Sequence, residues 1–220
     1  MIREVELKYR FPSQQSYLAL LNSIEGEHRI EHQTNSFFDT PDLRLKSQHI
    51  FLRLRKSNDQ HIFTCKAAPE NMNKPSGLLS VHDEWEQIVP GPEIDPIGLL
   101  HQTWPDESKN AHDTRLSLLR RIETLIKSQP VSLVGSFKNK RTHVPYSIGG
   151  HKVDLEFDET DFGNGQLDYE LEIELPEGLA PQIAEAELAK LLTHLQIETG
   201  PSTGKAERFF GLKAHLGLSG

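Results

Sequence analysis

The 220-residue chain has one cysteine, Cys65, which excludes an internal disulfide framework and a cysteine-rich zinc site. No apolar run approaches the roughly 20 residues needed to cross a bilayer as a helix. Charge enters at Arg3, so no secretory leader is expected and the cytosol is the expected compartment. The sequence also lacks an internal repeat, a low-complexity linker and any Ser-His-Asp or cysteine-based nucleophile set. Apolar residues make up only 36%, little for a compact enzyme, which is the expected result if much of the interior is polar. The net charge of -8 argues against general nucleic-acid binding, although a net value conceals any local basic lining.

What is present is alternation. Stretches that read as strands are Ile2–Arg10, Arg29–Asp39, Ile50–Lys56, His61–Ala67, His82–Val89, Val131–Val144, Lys152–Asp158 and Leu167–Leu175, enough to close a small barrel. Helical periodicity is rarer. Ser13 caps a stretch through Glu25, Asp113 starts one that runs to Pro130, and Pro181 opens a third through Leu195. A short turn is expected around Gly204–Leu212. Loops are marked by Pro69–Gly77, Pro90–Pro96, Gly149-Gly150 and Gly163–Gly165. Strands lie on both sides of the run from Pro90 to Asp113, so residues 1–220 are expected to form one domain.

Successive strand residues point to opposite faces, and this rule sorts the charges. Glu4, Glu6, Lys8 and Arg10 share a face, as do Arg53 and Arg55, Glu84 and Glu86, Lys138 and Lys140, and Asp154, Glu156 and Asp158. Glu170, Glu172 and Glu174 complete the set. In a sandwich such faces meet water; in a closed barrel they line a channel while the apolar faces pack outward against helices. The segregation by sign favours the channel, with carboxylates on the first and last strands and cations on the middle ones. A lining of both signs suits a triphosphate. Arg and Lys meet its oxygens, and clustered carboxylates hold the hard divalent cation that its hydrolysis needs.

The residues that carry this pattern also match a known family in order. Glu4-Val5-Glu6-Leu7-Lys8, Phe37-Phe38-Asp39-Thr40-Pro41, Leu52-Arg53-Leu54-Arg55, Thr64-Cys65-Lys66, Glu84-Trp85-Glu86, Lys140-Arg141, Val153-Asp154-Leu155-Glu156, Tyr169-Glu170-Leu171-Glu172 and Lys205 resemble the CYTH superfamily, the triphosphate tunnel metalloenzymes, from Ile2 to about Phe210. The resemblance implies an α+β fold, a closed antiparallel eight-stranded tunnel with helices outside. It implies that Glu4, Glu6, Glu170 and Glu172 bind Mg²⁺ or Mn²⁺, with Glu84 and Asp154 as further acids. Lys8, Arg53, Arg55, Lys66, Arg141 and Lys205 match the catalytic, triphosphate-binding cations, with Lys140 beside Arg141.

The implied reaction is hydrolysis of a small triphosphate, inorganic or thiamine, to diphosphate and phosphate, with neither nucleic acid nor membrane as partner. Phe37 to Pro41 and Asp161-Phe162-Gly163 look more like the triphosphatase branches than the bacterial adenylate cyclases. A class IV cyclase and a non-catalytic polyphosphate-binding module are the alternatives. Phe51 shares the parity of Arg53, so it is read either as a ring facing a cationic ligand or as core at the tunnel rim. Cys65 and Trp85 should face outward, Trp104 should anchor its loop, and His28, His32, His49, His61, His82 and His101 should lie at the surface or at strand edges.

Overall fold

The computed structural model describes residues 2–69, 77–104 and 114–215. In chain order its elements are β1 (Ile2–Phe11), α1 (Gln14–Ser23), β2 (Arg29–Asp39), α2 (Arg44–Ser47), β3 (Ile50–Ser57), β4 (Gln60–Ala67), β5 (Leu79–Val89), α3 (Pro96–Thr103), α4 (Thr114–Ile126), β6 (Ser132–Ile148), β7 (His151–Asp161), β8 (Leu167–Glu174), α5 (Pro181–His194), β9 (Gly200–Pro201) and α6 (Lys205–His215). Pairing runs β5-β4-β3-β2-β6-β7-β8-β1, and β5 pairs again with β1, closing an eight-stranded antiparallel barrel; β9 adds a short pairing to β1. Closure places Glu4 opposite His82 and leaves no open edge between the first and fifth strands.

The barrel is built inside out. Its apolar residues face outward and are covered by helices on two sides. Leu7, Tyr9, Leu155, Phe157, Leu171 and Ile173 pack with Tyr17 and Leu20 of α1 and with Ala184 and Leu188 of α5. Around the other side, Leu52, Leu54, Phe63 and Cys65 pack with Leu100 of α3 and with Leu118 and Ile122 of α4. Cys65 and Trp85 thus face away from the interior, and Trp104 is buried edge-on against Trp85 with ring centroids 5.3 Å apart. These outer layers supply the hydrophobic driving force and leave the interior free for charge. No helix of the described residues is long and apolar enough to cross a membrane.

Local chemistry explains the helix starts. The Ser13 hydroxyl accepts from the Ser16 amide and caps α1. Asp95 caps α3 through the Ile97 amide, with Pro96 in the first turn. Asp39 is buried at the end of β2 and accepts from the amides of Thr40, Leu45 and Lys46, so the Phe-Phe-Asp-Thr-Pro stretch is a structural corner that fixes α2.

One expectation changes. Residues 205–215 form helix α6 instead of a turn, with Gly204 just before its start and Arg208, Phe209 and Phe210 reaching the barrel. The Pro90–Pro96 loop leads directly into α3. Of the expected Pro69–Gly77 loop, residues 70–76 lie outside the described residues, as does Asp113 as a helix start.

At one end of the barrel, Phe37, Phe51 and Phe137 from three neighbouring strands meet Phe209 and Phe210 of α6 in an aromatic cluster. Phe37 packs 5.5 Å from Phe209 and 5.7 Å from Phe137, centroid to centroid. The cluster holds α6 against the strand ends. The N-terminal residue of the helix, Lys205, is thereby brought to the tunnel acids.

Candidate active site

The interior encloses a cavity of about 790 Å³, lined by residues of β1 to β8 and the start of α6. Its side chains sort into three groups. The first, from β1, β4 and β5, is acidic around one lysine. Lys66 Nζ contacts Glu4 and lies 3.4 Å from Glu6 and 3.3 Å from Glu84. Burial and the neighbouring Glu6 push the Glu4 carboxyl up to about 10. Burial would also raise Glu84, but Lys66 and Arg53 outweigh it and bring it down to about 2. Carboxylates therefore exceed cations here, and one of them is held protonated.

The second group is basic. Arg53 and Arg55 project from β3 on the face opposite Leu52 and Leu54. Arg53 reaches Thr64 at 3.1 Å and touches Glu84 and Glu86 only at 3.4 Å. Arg55 makes no ion pair among the described residues, and its partner is the side-chain carbonyl of Asn35 at 3.2 Å. Burial, with Arg53 and Arg141 close by, pushes its guanidinium down to about 10. A half-buried arginine with cations for neighbours is a site prepared for an anion.

The third group is a dense network on β6, β7, β8 and α6. Asp158 is fully buried and takes Arg141 by two parallel bonds of 2.8 and 2.6 Å, and Arg141 also reaches Glu172 at 2.5 Å and contacts Glu156. Lys205 Nζ lies 2.6 Å from Asp158, 2.8 Å from Glu170 and 2.9 Å from Glu172. Lys8 joins this network to the first group, 2.5 Å from Glu172 and 2.6 Å from Glu6. Burial opposes its charge, yet Glu172 and Glu6 hold its ammonium well above the ordinary lysine range.

The network makes a mutational expectation. Arg141→Met leaves Asp158, Glu156 and Glu172 short of a shared cation, and removing one partner from a buried pair costs about 3–5 kcal/mol. A marked fall in melting temperature is the expected result, and unchanged melting would mean that these acids do not depend on Arg141.

Most of the expected residues converge on the cavity: Glu4, Glu6, Lys8, Phe51, Arg53, Arg55, Lys66, Glu84, Arg141, Glu172 and Lys205 all line it. Phe51 does so from within the aromatic cluster at the rim. Glu170 sits just behind, 1% exposed, between Lys205 and Arg208.

Two expected residues lie elsewhere. Lys140 follows the buried Asn139 and precedes the buried Arg141, so alternation turns it to the outer side of β6, away from the cavity. Asp154 has the right parity but does not line the cavity: it sits near the start of β7, opposite Pro145, where its half-exposed carboxylate meets His143 at 2.7 Å and, with His143 and Glu156, forms a separate group whose ligand atoms lie within 4.8 Å of one another. Parity fixes the face but not the height along the barrel.

The structure adds residues that the sequence reading passed over. Asp158 anchors the third group, and its parity with Asp154 and Glu156 was a usable signal. Asn139 donates to Asp158 at 2.7 Å, and Arg208 to Glu170 at 2.9 Å. His143 bridges Glu31 at 3.1 Å and Asp154. His82 lines the cavity rather than the surface, and burial with Lys66 nearby brings its imidazole down to about 4.

A divalent cation fits the first group on its donor chemistry. Glu4, Glu6 and His82 place one ligand atom each within 4.8 Å of one another, as do Asp158, Glu170 and Glu172. The second set is already met by Lys205, Arg141 and Arg208, whereas the first carries the surplus of carboxylates that a hard cation relieves.

An eight-stranded barrel with opposed acidic and basic walls inside defines a charged-tunnel protein. The chain belongs to the CYTH family, whose domain model matches residues 2–210. HpAC1 of Hippeastrum, described as a candidate adenylyl cyclase with a dominant triphosphatase activity, is similar at 27% identity over 94% of this chain and 95% of its own, with a TM-score of 0.68. A Bacillus halodurans protein described as a candidate adenylate cyclase shares the fold at 24% identity, 96% and 100% coverage and a TM-score of 0.58. PH1819 of Pyrococcus horikoshii shares it at 19% identity, 94% and 98% coverage and a TM-score of 0.53.

Proposed function

We propose that residues 1–220 act as one CYTH domain that hydrolyses a small triphosphate, inorganic or thiamine, to diphosphate and phosphate with a divalent cation. The observation that carries this reading is that Arg53 and Arg55, the latter without a carboxylate partner among the described residues, line the same cavity as the acids Glu4, Glu6 and Glu84, the last of which Arg53 touches at 3.4 Å. The dominant triphosphatase activity of the similar Hippeastrum protein supports it.

In this mechanism Arg55 and Arg53 receive the phosphate oxygens. Arg55 gives up no ion pair to do so, which keeps the desolvation cost of binding low. Lys66 neutralises a further phosphate oxygen as a mobile point charge on a flexible stem. Lys8, Arg141 and Lys205 hold Glu172, Asp158 and Glu170 in place and offset their charge. Water attacks the terminal phosphorus, the bond from that phosphorus to the bridging oxygen breaks with its electron pair going to the departing diphosphate, and the water proton passes to a product phosphate oxygen or to solvent. Mg²⁺ or Mn²⁺ held by Glu4 and Glu6, with Glu84 and Glu172 near, would neutralise charge on the triphosphate and on the attacking oxygen.

Phosphate release should be measured with triphosphate, thiamine triphosphate, ATP and GTP under Mg²⁺ and under Mn²⁺, with cyclic AMP assayed alongside. Release from a small triphosphate, abolished by chelator and restored by metal, is expected. Cyclic AMP in place of phosphate would assign a cyclase, and intact triphosphate recovered under both metals would assign a binding module. Either result overturns the proposal.

A further inference from the structure

His82 stands apart from the charged pattern. It is the one imidazole grouped with Glu4 and Glu6 among the described residues, and it is held there by barrel closure, since β5 pairs with β1 with His82 directly opposite Glu4. Ser80, two residues earlier on the same face, places its hydroxyl 3.2 Å from His82 Nδ1. That contact fixes the ring and engages one nitrogen, the arrangement by which a second partner orients a ligating histidine. Beside it Glu6 is buried, and its Oε2 accepts no hydrogen bond although Lys8 Nζ lies 2.6 Å away off the donor direction. Two cations compete for these acids: Lys8, which Glu6 shares with Glu172, and Lys66, whose ammonium shares Glu4 and Glu6 and can swing on its stem toward a phosphate.

We propose that His82 is a nitrogen ligand of the divalent cation held by Glu4 and Glu6, and that it gives this chain a preference for Mn²⁺ over Mg²⁺. The inference rests on the metal site proposed above and adds to it the donor that sets the choice of metal. Mg²⁺ takes oxygen ligands almost exclusively, whereas imidazole raises affinity for the transition metals.

The test is Mn²⁺ binding to the whole chain, followed by electron paramagnetic resonance, with electron spin echo modulation to detect a coordinated ¹⁴N. The wild type should bind Mn²⁺ and show imidazole nitrogen coupling. His82→Ala should lose that coupling and bind Mn²⁺ more weakly, on the order of 10- to 100-fold, while Mg²⁺ affinity by calorimetry stays within about twofold. His82→Leu, which keeps more of the side-chain volume, guards against a collapse specific to alanine and should behave alike.

Bound Mn²⁺ without nitrogen coupling, or coupling that survives in both variants, overturns the role of His82 and leaves the Glu4–Glu6 metal site standing. Absence of Mn²⁺ binding to the wild type overturns both.

Discussion

Glu4→Gln is expected to abolish triphosphate hydrolysis while leaving the melting temperature of the metal-free protein at or above that of the wild type. The two halves of this expectation have one cause. Burial and the repulsion of Glu6 and Glu84 push Glu4 up to about 10, so near neutral pH its carboxyl is protonated in the metal-free state. A glutamine has nearly the shape and charge of that protonated acid, so the folded state loses little. Lys66 also keeps Glu6 and Glu84. Metal binding would require the carboxylate, and the substitution removes one anionic oxygen donor from the proposed hard-cation site. Turnover and melting should be measured on the same preparation. Wild-type turnover that still requires metal would remove Glu4 from the site, and a large fall in melting temperature would show that it is structural instead. Glu172→Gln is a less clean test, because Glu172 partners Lys8, Arg141 and Lys205, so stability and activity should fall together.

Arg55→Met should separate binding from stability in the opposite sense to Arg141→Met. A charge-assisted hydrogen bond is worth about 1.5–3 kcal/mol, so the Michaelis constant for triphosphate should rise roughly 10- to 100-fold. Stability should hold or improve. Burial, Arg53 and Arg141 lower the folded-state value of Arg55 from 12.5 to about 10. A cation whose value falls on folding binds its proton more tightly in the unfolded chain. Its charge therefore opposes folding throughout the range below about 10, neutral pH included. Methionine keeps the apolar stem and removes that cost. A raised Michaelis constant with unchanged or higher melting temperature is the expected pair of results, and a lower melting temperature with unchanged kinetics would make Arg55 a structural residue. Two arginines of one lining are thus expected to do different work: Arg141 is engaged by Asp158, Glu156 and Glu172, and Arg55 is proposed to receive an incoming anion. Stability given up at such a position is the usual companion of a binding site.

The cavity also has a geometric limit. The aromatic cluster of Phe37, Phe51, Phe137, Phe209 and Phe210 closes around the same end at which α6 delivers Lys205. The ionic network inside the barrel and the apolar packing at its end are therefore coupled through one helix. A substitution in the cluster acts on the position of Lys205 as well as on packing.

By itself the sequence determined the strands and their inward faces. Side-chain alternation is a property of each strand alone, so Glu4, Glu6 and Lys8, or Arg53 and Arg55, could be assigned to one face with no knowledge of their neighbours. It likewise placed Cys65 and Trp85 on the outer layer. The tertiary structure decided what depends on register and closure: that β5 returns to β1 and sets His82 opposite Glu4, that Asp154 falls near the start of β7 beside His143 and Glu156 and outside the cavity lining, and that Asp158 is the anchor of Arg141. Lys140 shows the boundary between the two, since alternation already opposed it to Arg141 and only the described interior showed which of them faced in. The physical reason is that a residue's face follows from local backbone geometry, whereas its height in the barrel and its ionic partners follow from pairing between strands more than a hundred residues apart, as with Lys8 and Glu172.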